Sequence, residues 1–130
     1  MIAPDANVVV RFLVADDPRQ AERAAALFAH QRVMLLKTVL LETEWVLRSA
    51  YALKREDIHD ALSRLSRLAG VTIEDEQAVR KALDLFAAGM DFADALHLAS
   101  AGGHNAGFAT FDRKLRSAAA EATGILVITP

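Results

Sequence analysis

Four acidic residues mark the positions at which this sequence could do chemistry. They are Asp5, Glu42, Asp94 and Asp112. Carboxylates gathered without a neutralising charge would repel one another, so a cation must accompany them. The chain offers oxygen ligands but no cysteine and no pair of histidines at metal-ligand spacing, which favours a hard ion, Mg²⁺ or Mn²⁺, over zinc. Such an ion can lower the pKa of a bound water and polarise a phosphoryl oxygen.

Glu42 stands out among the glutamates of its predicted helix. Its neighbours at helical spacing carry no basic group and are Thr38, Val39, Trp45 and Val46. An unpaired carboxylate on an apolar stripe is unfavourable, so we expect a functional reason for it. Glu44 differs, because Arg48 follows it by four residues and the two are expected to form an ordinary ion pair.

The aspartates each have a second interpretation as helix caps. Asp5 and Asp112 directly precede predicted helices, and each could cap the helix that follows it. Asp91 and Asp94 resemble an N-cap and its partner in the first turn, where the helix dipole favours negative charge. When each aspartate is considered alone, a role as a helix cap explains it as well as a catalytic role does. Convergence of all four acids at one rim of a sheet is what favours function.

Short β-type runs alternate with helical patterns along the whole chain. Predicted strands cover 1–3, 33–36, 71–73, 106–110 and 125–128. Predicted helices cover 8–14, 17–29, 38–52, 55–68, 75–88, 91–101 and 112–122, with Thr38 as the N-cap of the third. Strands separated by helices indicate a mainly parallel sheet, so we expect an α/β fold, a three-layer α/β/α sandwich. In such sheets ligands bind outside the carboxyl ends of the strands, where the acids lie.

Length and composition restrict the function classes. A chain of 130 residues with 53% hydrophobic residues predicts a single domain, residues 1–130. The absence of cysteine and of a secretory pattern in residues 1–14 favours a cytoplasmic protein, and no apolar run is long enough to span a membrane. A net charge of −2 means that nucleic-acid binding must be argued from a site.

Other side chains receive plainer assignments. Arginines near the proposed rim would suit phosphate contacts, and they are Arg11, Arg113 and Arg116. His97, three residues after Asp94, is interpreted as structural. Aromatic residues at helical spacings are predicted to lie in the core, and they are Phe12, Trp45, Phe86 and Phe92. No glycine-rich phosphate loop follows the first strand, so nucleotide binding has no support.

Four stretches of the sequence carry a family resemblance. They are PDANVVVRFLVADDP from Pro4, LLETEWVL from Leu40, DFADALHLA from Asp91 and TFDRKL from Thr110. At these residues the chain resembles the PIN-domain ribonucleases and, among them, the VapC-like toxins of type II toxin-antitoxin pairs. The likeness runs from the first predicted strand to the fourth and so covers nearly the whole chain.

The resemblance implies an activity, a site and partners. Asp5, Glu42, Asp94 and Asp112 match the family's acids, which would hold Mg²⁺ or Mn²⁺ and cleave an RNA phosphodiester through an activated water, leaving a 5′-phosphate. Supporting roles beside these ligands would fall to Asn7, Thr110 and Asp91. A homodimer and an antitoxin whose C-terminal segment covers the acidic site are also implied, with no membrane contact. Ala6 departs from the family's usual Thr or Ser, which removes a possible hydroxyl beside Asp5.

Three other functions remain as alternatives. A nuclease of the same fold could act on DNA or on a particular nucleic-acid structure. A non-catalytic binding module would usually lack one of the acids, and here none is missing. A phospho-acceptor signalling domain would need a lysine after the last strand, where only Thr129 and Pro130 follow Ile128.

Overall fold

The computed structural model describes residues 1–130 as seven helices and four strands. The chain forms two compact units, Met1–Glu74 and Asp75–Pro130. The first unit contains α1 (Ala6–Val14), α2 (Pro18–His30), β1 (Val33–Leu35), α3 (Lys37–Ser49), α4 (Arg55–Ser66) and β2 (Val71–Ile73). The second contains α5 (Glu76–Ala87), α6 (Phe92–Gly103), β3 (Phe108–Ala109), α7 (Arg113–Ala122) and β4 (Val127–Ile128). None of the helices has the length and apolar character needed to cross a bilayer.

Strand pairing is parallel in both units, which confirms the predicted α/β class. In the first unit β1 pairs with β2, with Val33 opposite Val71, and Ile2 adds a single parallel bridge to Val33. In the second unit β3 pairs with β4, with Phe108 opposite Val127. Each unit thus has a small parallel sheet whose strands are joined through helices, the connection that parallel strands require.

One strand, β2, has the predicted bounds, and the other predicted strands are shorter than the sequence predicts. Pro4 has no amide hydrogen to donate, and the first run is reduced to the bridge at Ile2. The Ala106 amide donates to the carbonyl of Ala101 in the turn after α6, so β3 begins only at residue 108. The Ile125 amide donates to the hydroxyl of Thr123, which delays β4 to residue 127.

Two helices of the first unit follow an aspartate cap, and the capping interpretation of Asp5 is confirmed although α1 begins two residues before the predicted start at residue 8. The Asp5 carboxylate accepts from the Val8 amide at 3.0 Å and caps α1. The Asp17 carboxylate accepts from the Gln20 amide at 3.1 Å, with Pro18 in the first turn of α2. These local caps satisfy amides that would otherwise lack an intrahelical partner.

Helix α3 begins differently from the prediction. Thr38 is not its N-cap, since the helix starts at Lys37 and Leu36 occupies the cap position without a side-chain hydrogen bond. The Lys37 amide instead donates to Glu74 Oε1 at 2.8 Å. A carboxylate from the residue after β2 therefore caps the helix that carries Glu42, and its negative charge suits the positive end of the helix dipole.

The buried side of α3 also differs from the prediction. The sequence predicts Trp45 in the core, but the side chain is 58% exposed, so this prediction is wrong. Four residues of α3 are instead buried, and they are Leu40, Thr43, Glu44 and Leu47. At about 100° per residue these lie on the side of the helix opposite to Trp45. The prediction is confirmed for Phe86 and Phe92, which are buried and in edge-to-face contact, whereas Phe12 is only half-buried and stacks on Phe28.

Removing the Glu74 carboxylate should destabilise the protein by weakening the start of α3. We expect Glu74→Ala to lower the free energy of unfolding by about 1 kcal/mol, as loss of a helix cap does. Urea denaturation followed by circular dichroism measures the change. Glu22→Ala, on the exposed side of α2, is the matched control and should leave the midpoint unchanged. Equal midpoints for the two variants would contradict a capping role.

Candidate active site

Two of the four predicted acids lie in the second unit, at the starts of α6 and α7. Asp94 is in the first turn of α6, and its amide donates to Asp91 Oδ2 at 3.1 Å. Asp112 is the N-cap of α7 and accepts from the Leu115 amide at 3.0 Å through Oδ1. The capping interpretation of Asp91 and Asp112 is therefore confirmed. Each cap bond uses one carboxylate oxygen and leaves the other for a ligand.

Asp91, Asp94 and Asp112 line one cavity of about 560 Å³ in the second unit. Burial raises the pKa of Asp94 above its usual value, and the negative charges of Asp91 and Asp112 raise it further, while His97 acts in the opposite direction. The carboxylates are therefore close enough for their charges to interact. A cation bound in this cavity would offset that repulsion.

Thr110 supports the turn that presents Asp112. Its hydroxyl oxygen accepts a hydrogen bond from the Asp112 amide at 3.0 Å. The backbone of Asp112 is thus held on one side by Thr110, and its carboxylate is held on the other by the first turn of α7. This is the contact that a supporting residue would make, and its catalytic importance stays a prediction.

Asp5 and Asn7 lie in the first unit and line a second cavity, of about 400 Å³. Asp5 is exposed and caps α1 through Oδ1, so Oδ2 remains for other ligands. The same cavity is lined by Arg11 and Arg23, from α1 and α2. The sequence predicted Arg11 near the acidic rim, and the structure places it in the cavity that Asp5 lines. The sequence alone does not identify Arg23, because its place in the cavity depends on how α2 packs on α1.

Arg11 is held in place by a network that the sequence did not reveal. Its guanidinium donates to Asp16 Oδ1 at 3.0 Å, to the Tyr51 hydroxyl at 3.0 Å and to Gln20 Oε1 at 2.7 Å. The Tyr51 hydroxyl in turn donates to Asp16 Oδ2 at 2.7 Å. This hydrogen bond, together with the charge of Arg11, lowers the pKa of Asp16. Because the carboxylate of Asp16 already engages Arg11, Arg23 is the cavity's cation without a partner in the chain.

Glu42 lies on the exposed side of α3, without a hydrogen bond or ion pair. The sequence placed it on an apolar stripe, which is wrong, because the buried glutamate is Glu44, only 2% exposed. The predicted pair between Glu44 and Arg48 is confirmed, with Arg48 Nε 2.8 Å from Glu44 Oε2. Because Glu42 is exposed, its carboxylate is not destabilised by burial and needs no functional reason on that ground. Its candidacy as a metal ligand rests on the family motif alone.

Taken one unit at a time, the structure gathers the acids only in part. The second unit brings Asp94 and Asp112 to one cavity together with Asp91, whereas in the first unit Asp5 lines a cavity from which Glu42 is absent. Neither unit places three or more histidine, aspartate or glutamate side chains close enough to hold a metal ion. The donor chemistry nevertheless fits a hard divalent ion, because every candidate ligand is a carboxylate.

Comparison with known proteins assigns the chain to a family. The family model for the PIN domain matches residues 2–121, a range that includes all seven candidate residues. A search among curated proteins finds no match. PIN domains are generally metal-dependent nucleases, and the helices and parallel strands described above are compatible with their α/β fold. With most of its length matched, this chain belongs to the PIN domain family.

Proposed function

We propose that this PIN-domain protein is a metal-dependent endoribonuclease that hydrolyses RNA phosphodiesters. The observation that carries the proposal is the cavity lined by Asp91, Asp94 and Asp112, in which burial, and after it the charges of the two neighbouring carboxylates, raise the pKa of Asp94. A cavity of this kind favours a cation, and the family to which the chain belongs supplies the hydrolytic chemistry.

Asp5, Glu42, Asp94 and Asp112 are the proposed ligands of Mg²⁺ or Mn²⁺, directly or through water. When bound, such an ion activates a water molecule and polarises the phosphoryl oxygen. The chain's contribution is to orient its carboxylates. The Val8 amide fixes Asp5, and the Leu115 amide fixes Asp112, in each case through Oδ1. A carboxylate already held by a cap loses less conformational freedom when it binds a ligand.

Cations beside Asp5 would bind the phosphates of the substrate. Arg11 is held rigidly by Asp16, Gln20 and Tyr51, and Arg23 lines the same cavity from α2. Guanidinium groups match the geometry of phosphate oxygens. With a net charge of −2 the protein attracts RNA weakly as a whole, so these local contacts must supply the affinity.

We propose further that the nuclease is the toxin of a type II toxin-antitoxin pair, neutralised by an antitoxin and assembled as a homodimer. The four motif stretches support this role by their resemblance to the VapC-like toxins. Large apolar side chains at the surface are compatible with protein partners, and the most exposed are Phe111 at 78% and Leu126 at 71%. A cytoplasmic location follows from this role and is part of the proposal.

Substitution of Asp94 tests the catalytic proposal. We expect Asp94→Asn to reduce Mg²⁺- or Mn²⁺-dependent cleavage of single-stranded RNA by about 100-fold or more, because the carboxylate that would hold the ion is lost. Asp84→Asn, the same change on the exposed side of α5, is the control and should retain full activity. Parallel assays on single-stranded DNA and flap substrates measure the specificity. Undiminished RNA cleavage by Asp94→Asn would refute the assignment, and preferential DNA cleavage would favour the DNA-directed alternative.

Arg23→Gln tests the proposed phosphate contact. Loss of one contact to a single strand should reduce the slope of log K against log salt concentration by about 0.7 and weaken RNA binding severalfold at low salt. Each substitution is combined with Asp94→Asn to prevent cleavage. Fluorescence anisotropy with labelled RNA then measures the affinity and its dependence on salt. Arg19→Gln, a change on α2 outside the cavity, is the matched control. Identical slopes for the two variants would exclude Arg23 from the RNA-binding surface.

Induced expression in a bacterial host tests the toxin role. We expect arrest of growth by the wild-type protein and normal growth with Asp94→Asn at the same expression level, because toxicity would require RNA cleavage. Growth curves measure the arrest, and immunoblots measure the expression level of each protein. Normal growth with an active wild-type enzyme would indicate a processing nuclease instead of a toxin.

A further inference from the structure

Helix α3 has an exposed face that carries both a proposed catalytic acid and the chain's single tryptophan. This face consists of Thr38, Glu42, Trp45 and Ser49, all of them exposed. At about 100° per residue, their side chains fall within a narrow sector of the helix. We infer that Trp45 is a stacking platform for an unpaired base of the substrate, next to Glu42, an inference that rests on the proposed ribonuclease function.

The exposure of Trp45 needs an explanation. An indole is the largest apolar side chain, yet Trp45 is 58% exposed, while smaller residues of the same helix such as Leu40 and Leu47 are fully buried. Its ring packs against no other aromatic ring, and its N–H has no hydrogen-bond partner within the chain. A planar, solvent-facing ring of this kind is the feature on which proteins stack unpaired bases.

Trp45 stands at the right spacing from Glu42 to serve the same nucleotide. The two residues are three positions apart, which is one helical turn and about 4.5 Å along the axis. A strand whose phosphate binds a divalent ion held by Glu42 would therefore carry a base within reach of the indole ring. Stacking does not depend on the identity of the base, so this contact would position the strand without selecting its sequence.

The platform is rigid because α3 is anchored at several points. Leu40 and Leu47 fix its inner side in the core, and Glu74 caps its first turn. The carbonyl of Trp45 accepts a hydrogen bond from the Ser49 hydroxyl at 2.6 Å. The backbone that carries the ring is therefore already ordered, and only the two side-chain torsions of Trp45 must be fixed when a base stacks on it, which favours binding.

The surroundings of Trp45 favour a nucleic acid over a second protein surface. The rest of the face is polar or charged, with Glu42 one turn before the ring, and Arg48 lies at its flank with about half of its side chain exposed. Cores of protein interfaces are depleted in charged residues, so a second copy seated here would bury Glu42 unfavourably. A base can cover the ring while its phosphates stay in water beside Arg48.

Intrinsic fluorescence tests the inference directly, because Trp45 is the only tryptophan in the chain. In the Asp94→Asn protein, which prevents cleavage, we expect a single-stranded RNA oligonucleotide to quench the emission saturably. An abasic oligonucleotide of the same length has the same phosphates and should not quench it, nor should duplex RNA. Equal quenching by the abasic strand would show a charge effect and overturn the stacking contact.

Substitutions separate stacking from a structural role. We expect Trp45→Ala to raise the KM for single-stranded RNA about tenfold and to leave kcat within about twofold, with Trp45→Phe restoring most of the loss. Leu68→Ala, which removes another exposed apolar side chain, should change neither constant. A fall in kcat with an unchanged KM would contradict a role in binding the substrate.

The outcomes distinguish this inference from the proposed function on which it rests. Normal RNA cleavage without quenching would reject the stacking platform and leave the ribonuclease intact. Absence of both cleavage and quenching would reject the proposed function itself. A blue shift of the emission that increases with protein concentration, together with dimers detected by analytical ultracentrifugation, would place Trp45 between two copies of the chain. That result would overturn the inference.

Discussion

The candidate site depends on carboxylates held at the N-terminal ends of helices. Three of these carboxylates accept a hydrogen bond from a backbone amide of the helix that follows, and they belong to Asp5, Asp91 and Asp112. Asp94 lies in the first turn of α6. A negative charge at that end of a helix interacts favourably with the helix dipole. A cap and a metal ligand are compatible roles, because a carboxylate has two oxygens and the cap uses one. The capping bond also directs the remaining oxygen, which suits an ion that demands regular geometry.

The carboxylate of Glu42 is positioned in a different way. It stands in the second turn of α3, on an exposed face, so no cap bond directs its carboxylate. Its position is fixed by the helix as a whole, through the burial of Leu40 and Leu47 and the cap that Glu74 supplies from the end of β2. A side chain of this kind keeps its rotamer freedom until a ligand arrives, so ordering it opposes binding more than ordering Asp5 does. A neighbouring contact to the substrate, such as stacking on Trp45, would help to offset that loss.

Local patterns were readable from the sequence, and contacts between distant residues were not. The caps at Asp5 and Asp112 and the ion pair of Glu44 with Arg48 all join residues within four positions. The cap of α3 joins residues 37 positions apart, and Arg11 meets Tyr51 across 40. The period of α3 showed which residues share a face but not which face lies inside. The buried side contains Thr43 and Glu44, the hydroxyl of Thr43 having no partner, so a rule that places apolar residues inside chose wrongly for Trp45.

Because the net charge of the chain is slightly negative, electrostatic attraction alone would give such a site little affinity for RNA. A strongly basic protein binds RNA through many phosphate contacts, whose strength falls steeply with salt. This chain has a net charge of −2, and in the first unit Asp16 already engages Arg11 while Arg23 remains beside Asp5. Few phosphate contacts imply a weak dependence on salt and leave a larger share of the affinity to contacts that salt does not screen. Base stacking is such a contact, and an exposed indole near a candidate acid is the feature of this surface that can supply it.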